Sequence, residues 1–267
     1  IIKGGHPCNN ACLFCHASDQ PSTLELETDS VLARIKEAKG MGATGILLSG
    51  GEPTIRKDLP QLAEACVRYG LEFGLITNGR MLSYRPLLKR LLRRGLRYVY
   101  MSLHGPAPIH DAITQAPGSF EQSWQAIRLL ARIEGLELTV NTVMVQQNMD
   151  QLQEVARILL PLPSVKIKYT YVEPKGSALS DPAVVPSPVA AAAALAAVLD
   201  SAEQAGMPLS RFGVDGLPHC LDGRFTALQD DMFTHGICAL REVAEGDFFP
   251  IDYGNMTKPD ACRGCLI

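Results

Sequence analysis

A chain of 267 residues, 46% hydrophobic and 20% charged, is long enough to bury most of its apolar surface in one large domain, and this composition excludes a disordered chain. A formal net charge of −3 gives no general attraction for phosphate backbones, so nucleic acid is not expected as a partner. No stretch approaches the uninterrupted run of about 20 apolar residues of a membrane helix, so no membrane association is expected either.

The chain opens on Ile1 without a secretory signal or an initiating Met, as expected of a processed or trimmed sequence. Eight cysteines in a chain of this size are not needed as disulfide staples, and their spacing is that of a metal protein in a reducing cytoplasm. They fall into an N-terminal group (Cys8, Cys12, Cys15), a lone Cys66, and a C-terminal group (Cys220, Cys238, Cys262, Cys265).

From Ile2 to about Glu173, short apolar runs alternate with amphipathic segments, the pattern of a parallel sheet with crossover helices. Strands are predicted at 1–5, 43–50, 71–77, 98–104, 136–145 and 165–173, with helices at 31–40, 58–69, 84–94, 119–134 and 149–160. Within the third helix, Lys89, Arg90, Arg93 and Arg94 read as a solvated face. Six units make an α/β fold of the incomplete (β/α)6 barrel type. The strands end on Ser49-Gly50-Gly51-Glu52, Thr77-Asn78-Gly79, Ser102 to His104, and Glu173, and in parallel barrels such ends converge on one mouth. After Pro174 comes a linker, then an Ala-rich helix over 188–205 with Ser187 as cap and Pro188 in the first turn. From Gly206 the periodicity fades and four cysteines appear, as in a segment that folds around a metal. Two parts follow: a barrel core over 1–180, and a helix with a cysteine-rich extension over 181–267.

The motif Cys8-Asn9-Asn10-Ala11-Cys12-Leu13-Phe14-Cys15 places three thiolates within eight residues, directly after the first strand. Iron-sulfur clusters usually take four protein thiolates, so a three-cysteine site leaves one iron open to a ligand. A zinc site completed by His16 or His6 is the other reading of the spacing. Strand parity nominates further residues. Val99, Met101 and Leu103 form an apolar face suited to the helices, which turns Tyr98, Tyr100, Ser102 and His104 inward. By the same alternation Thr139 with Asn141, and Lys166 with Lys168 and Thr170, face the interior. Ser102, Asn141, Lys168 and the nearby Asn78 are candidates for ligand or substrate contacts. His104 is a candidate acid-base group, because imidazole titrates near neutrality, or a hydrogen-bonded structural residue. His110-Asp111 and Glu173 are weaker candidates, and Cys66 reads as a small buried hydrophobe.

The C-x3-C-x2-C loop followed by Ser49-Gly50-Gly51-Glu52-Pro53 resembles the radical S-adenosylmethionine (SAM) superfamily over about the first 175 residues. The resemblance implies that Cys8, Cys12 and Cys15 hold a [4Fe-4S] cluster whose open iron chelates the methionine part of SAM. It also implies that Gly50-Gly51-Glu52 meets the SAM amino group, and that Phe14 lies near the adenine. Taken alone, Cys220, Cys238, Cys262 and Cys265 fit a structural zinc site or a second cluster. Behind such a barrel they look like a twitch domain, the reduced form of the SPASM domain, holding one auxiliary [4Fe-4S] cluster. The family's glycine four residues before the second cysteine is not matched, since Gly236 lies two before Cys238.

The function implied is reductive SAM cleavage to a 5′-deoxyadenosyl radical that abstracts hydrogen from a small-molecule or peptide substrate, with an electron donor such as flavodoxin or ferredoxin. Net oxidation of the dehydrogenase type fits an auxiliary cluster that accepts the product electron. Peptide maturation or epimerisation comes second, because a strand beginning at Ile1 is expected to leave no module to grip a leader peptide unless trimming has removed one. A zinc-binding scaffold is the non-enzymatic reading.

Overall fold

The computed structural model describes residues 1–230 and 241–243 in full and the backbone of 239–240 and 249–250. Seven strands form one sheet in sequential order: β1 (Ile2–Lys3), β2 (Gly45–Ser49), β3 (Glu72–Thr77), β4 (Leu96–Ser102), β5 (Glu137–Met144), β6 (Val165–Tyr171) and β7 (Phe212–Asp215). Every adjacent pair is parallel. Among the described residues the order runs from β1 to β7 without closing on itself, with single parallel bridges from Arg241 to β1 and from Gln229 to β7. The six predicted strands are all present. The seventh corrects the count of six units: Phe212-Gly213-Val214-Asp215 pairs with Ile167 to Thr170 of β6.

The crossovers are α1 (Thr28–Gly40), α2 (Leu59–Arg68), α3 (Arg85–Leu92), α4 (Ala107–Thr114) with α5 (Ser119–Leu130), α6 (Leu152–Leu159), and α7 (Ser177–Ser180) with α8 (Pro188–Gln204). Asp29 in the first turn of α1 and Lys39 in its last oppose the helix dipole favourably. Pro60 and Pro188 sit in the first turns of α2 and α8, where the missing N–H has no partner to lose. Ser187 occupies the position before α8, but its side chain makes no capping bond.

The outward residues of the strands, among them Phe73, Leu75, Val99, Met101, Val140, Ile167 and Tyr169, are at most 1% exposed against the helix layer. Tyr169 also donates from its hydroxyl to Leu152 O at 2.8 Å. Their alternate neighbours Tyr100, Ser102, Asn141, Lys166, Lys168 and Thr170 are half-buried on the inner face, as parity requires. Residues 182–204 are long and apolar enough to cross a membrane by length and composition, a correction to the reading that no such stretch exists. The alanine run of α8 accounts for this. One face of that helix places Ala191, Leu195, Val198 and Leu199 in the same core as the sheet, each at most 1% exposed.

Candidate functional site

The cysteine loop leaves β1 and is seated on the end of β2. Gly51 N donates to Gly5 O and Glu52 N to Pro7 O, both at 2.8 Å. Gly50 has φ 127°, and a Cβ there would run into Gly5 O, while one on Gly51 would meet the carbonyls of His6 and Pro7. The two glycines therefore form a bed on which the chain entering the loop can lie backbone to backbone. On the far side Ala11 N donates to Thr114 O and Leu13 N to Ile113 O, and Ser177 N donates to Cys15 O at 3.0 Å. Leu13 and Phe14 pack with Ile113, Val145, Val172, Ala178 and Val184.

Cys8 is exposed, Cys12 and Cys15 are half-buried, and none is in a disulfide. Asn10 N donates to Cys8 Sγ at 3.4 Å. Burial, then the neighbouring Cys8 and Cys15, push the Cys12 thiol up to about 12. Burial also raises Cys8, with Glu52 and Cys15 adding to it. Thiols raised in this way, as Cys8 and Cys12 are, need a cationic group before they become thiolates at neutral pH, and an iron-sulfur cluster supplies one. Among the described residues no three His, Cys, Asp or Glu side chains converge on a single ion. A cuboidal cluster does not require that, because each thiolate takes a different iron. His16, an alternative ligand in the zinc reading, lies with Nε2 3.2 Å from Lys3 Nζ, and His6 is buried.

Glu52 is 2% exposed, and protein donors already surround its carboxylate. Oε1 accepts from Thr54 N at 2.8 Å, Thr54 Oγ1 at 2.5 Å and Thr77 Oγ1 at 2.6 Å, and Oε2 accepts from Asn78 N at 2.7 Å. Burial raises its pKa against these hydrogen bonds. The side chain thus ties the end of β2 to the end of β3. Behind it Arg56 donates to Gly4 O at 2.9 Å and Leu26 O at 3.0 Å, and pairs with Asp58 at 2.7 Å.

Asn78 reaches the cysteine loop directly. Its Nδ2 donates to Asn9 Oδ1 at 2.7 Å and lies 4.0 Å from Cys8 Sγ. Arg80 donates to Asn9 O, to Asn10 Oδ1 at 2.9 Å and to Gln122 Oε1 at 2.6 Å, so its guanidinium grips the stretch between the first two cysteines. Hydrogen bonds near cluster sulfurs are a recognised means of setting cluster potential.

Ser102, Asn141 and Lys168 share one register row across β4, β5 and β6. Asn141 Oδ1 accepts from Thr170 Oγ1 at 2.8 Å. Lys168 Nζ lies 3.1 Å from Asp215 Oδ2, and one row below Lys166 Nζ lies 3.2 Å from Asp230 Oδ1. The inner wall therefore carries paired charges beneath the polar row.

His104 is 1% exposed and serves packing. Its Nδ1 accepts from Val143 N at 3.3 Å, its carbonyl accepts from Asn148 Nδ2 at 2.9 Å, and its ring meets Phe14 edge-on at 4.9 Å. Burial, with His110 adding to it, holds its pKa well below the usual histidine value. The neutral ring carries its proton on Nε2, and its contacts join β4, β5 and the cysteine loop. His110 accepts from His104 N at 3.0 Å, and Asp111 caps the next helix by accepting from Gly118 N and Phe120 N. Glu173 is an exposed carboxylate paired with Lys175. Cys66 is fully buried, and Cys220 is exposed and free. Cys238, Cys262 and Cys265 lie outside the described residues.

Sequence reading placed Thr77 among the strand ends at the mouth but missed Arg56, Arg80 and Asp215. Arg80 was within reach, since it directly follows the strand-end run Thr77-Asn78-Gly79. The other two carry no signal until their partners are placed.

The family model described as "Radical SAM superfamily" matches residues 2–159. Fe-coproporphyrin III synthase of Methanosarcina barkeri is 32% identical over 154 residues, covering 57% of this chain and 38% of that protein. PqqA peptide cyclase of Rhodopseudomonas palustris is 31% identical over 191 residues, covering 69% of this chain and 49% of that protein. The chain thus spans about half or less of these curated relatives. Among solved structures, Streptococcus suis SuiB bound to precursor peptide SuiA superimposes with TM-score 0.69 at 15% identity, covering 97% of this chain and 61% of SuiB. Native anSMEcpe with bound AdoMet gives TM-score 0.61 at 17% identity, covering 78% of this chain and 62% of that one. At such identities the likeness is one of fold.

Proposed function

Because this chain belongs to the radical SAM superfamily, whose members are enzymes, we propose that it binds SAM at a [4Fe-4S] cluster on Cys8, Cys12 and Cys15 and uses it to modify a peptide. The observation that carries this reading is the three-cysteine loop bedded on Gly50-Gly51 at the same sheet end as the polar row Ser102, Asn141 and Lys168. When bound, the cluster and SAM supply one electron to the sulfonium and a 5′-deoxyadenosyl radical that takes hydrogen from a substrate C–H bond.

The chain's own residues do the rest. Gly50 and Gly51 let the loop backbone lie close, and Glu52 fixes Thr77 and Asn78 beneath it. Asn78 and Arg80 hold the loop between its first two cysteines. Phe14, braced by His104, offers an apolar edge to the adenine, while Ser102 and Asn141 offer hydrogen bonds to SAM. Lys168, steadied by Asp215, faces the substrate from the same row. The named activity of the PqqA cyclase relatives supports a peptide substrate. The synthase relatives support a small molecule as the second reading. A net oxidation, with Cys220, Cys238, Cys262 and Cys265 holding an electron-accepting auxiliary cluster, completes the proposal.

Anaerobic incubation with reductant, SAM and deuterated candidate peptides tests it. Deuterium in 5′-deoxyadenosine supports the reading, and SAM left intact by iron-loaded protein refutes it. Metal analysis separates the scaffold alternative: about eight irons per chain fits two [4Fe-4S] clusters, and zinc alone fits a scaffold.

A further inference from the structure

We propose that the outer face of α3, together with Met81 and Tyr84, is a docking surface for an acidic one-electron carrier protein that reduces the cluster on Cys8, Cys12 and Cys15. This rests on the cluster reading above and adds the place where the reductant binds.

The charge pattern is the first observation. Between Tyr84 and Tyr98 there is no acidic residue, although the whole chain has a net charge of −3. Arg85, Lys89, Arg90 and Arg93 are exposed and together with Pro86 line a shallow depression of about 400 Å³. Arg94 pairs with Glu64 at 3.7 Å, but these four have no ion-pair partner among the described residues. Four neighbouring cations without acidic partners repel one another, and an acidic surface relieves that repulsion.

The second observation is apolar. Met81 is 36% and Tyr84 60% exposed, and both sit at the N-terminal end of the cationic face. An aromatic ring beside a basic rim is the composition of a protein interface centre.

Position decides the kind of partner. Met81 directly follows Arg80, whose guanidinium donates to Asn9 O and Asn10 Oδ1 inside the cysteine loop. From Arg80 the chain turns once and enters α3 at Arg85, so the cationic face begins five residues after the arginine that holds the loop. The barrel interior, with Ser102, Asn141 and Lys168, is left to SAM and substrate. A carrier seated on α3 approaches the loop from outside and does not compete with them. The step is a single electron transfer: the carrier is oxidised by one electron, the cluster is reduced by one, and no bond or proton changes partner. Single-stranded RNA would also suit cations beside a tyrosine, but adjacency to the loop favours the redox protein.

The test uses the reconstituted holoenzyme and reduced flavodoxin as the probe. Binding is measured by calorimetry over a salt series, and cluster bleaching by stopped flow with flavodoxin or dithionite as reductant. Lys89→Glu with Arg93→Glu is expected to slow flavodoxin-driven bleaching at least about tenfold at low salt, and to weaken binding with a shallower salt slope. Bleaching by dithionite is expected to stay at the wild-type rate. Lys89→Gln with Arg93→Gln serves if circular dichroism shows the reversal to unfold α3, with a smaller change in the same direction. Wild-type flavodoxin kinetics in a folded variant would overturn the proposal. So would an RNA oligonucleotide that binds this face while leaving flavodoxin binding and flavodoxin-driven bleaching unchanged. If dithionite fails to reduce the wild-type protein, the cluster reading itself falls and the docking proposal with it.

Discussion

Glu52→Ala tests whether the strand-end carboxylate is a ligand contact or a tie within the protein. The side chain is 2% exposed and accepts from Thr54 N, Thr54 Oγ1, Thr77 Oγ1 and Asn78 N. The two hydroxyls can rotate to new acceptors, but the two backbone N–H groups cannot. A buried donor left unsatisfied costs about 1–3 kcal/mol, so two give roughly 2–6 kcal/mol. A water entering the vacated polar space would recover part of this, which sets the expectation at about 3 kcal/mol. Glu52→Gln keeps the volume and one acceptor oxygen but turns an amide towards a donor, so about half that loss is expected. Urea denaturation of the cluster-free protein reads both values, with calorimetric SAM binding to the reconstituted protein alongside. A wild-type urea midpoint in Glu52→Ala, with only SAM affinity reduced, would refute the structural tie and restore the carboxylate as a direct contact to the SAM amino group.

Three other outcomes are expected. Burial is the main reason that His110 is held down to about 4 against an ordinary value of 6.5, with Arg80 adding to it and Asp111 opposing it. The unfolded chain therefore takes up a proton first as pH falls, and stability present above pH 6.5 drains away down to about 4. Its slope is at most about 1.4 kcal/mol per pH unit, and urea melts across this window should show a flatter dependence in His110→Asn. Gly51→Ala forces a Cβ against the carbonyls of His6 and Pro7. It should cost about 3 kcal/mol, the upper end for overpacking, and lower iron content after reconstitution; a normal iron count would contradict the bedding of the loop. Lys168→Met breaks an ion pair whose partners are 11% and 25% exposed, worth about 1 kcal/mol to the fold. Substrate-dependent 5′-deoxyadenosine formation should fall at least about tenfold, with substrate-free cleavage retained, and equal loss of both would remove Lys168 from the substrate side.

Six strands were readable in the sequence because each carries an apolar run bounded by turn residues and followed by a helical period. The seventh was not, since Phe212 to Asp215 is only four residues long and includes a glycine. Helix α4 was missed because it spans eight residues with a proline in its first turn, too short for a period to show. Parity placed Ser102, Asn141 and Lys168 on the inner face. Their common row depends on interstrand register, which no single strand encodes. The glycine-glycine-glutamate motif was equally visible, but beside the nearby Thr54 the donors that satisfy Glu52 are Thr77 and Asn78 at the end of β3, more than 20 residues later. His104 shows the limit most clearly: a histidine at a strand end has the same letters whether it faces substrate or, as here, packs against Phe14 and His110.

The backbone bond from Ser177 N to Cys15 O has a consequence for how the protein matures. The cysteine loop leaves the ribosome well before the partner that closes it, which lies more than half the length of this chain downstream. Gly176, which stands against the Cys15 carbonyl, has φ 51° and leaves no room for a Cβ there. Until that segment has been synthesised, the Cys15 end of the loop lacks this tie, while the contacts from Gly51, Glu52, Asn78, Arg80 and Thr114 can already form. A chain truncated before residue 176 should therefore hold Cys15 less firmly than Cys8 and Cys12, which limited proteolysis of the loop would show.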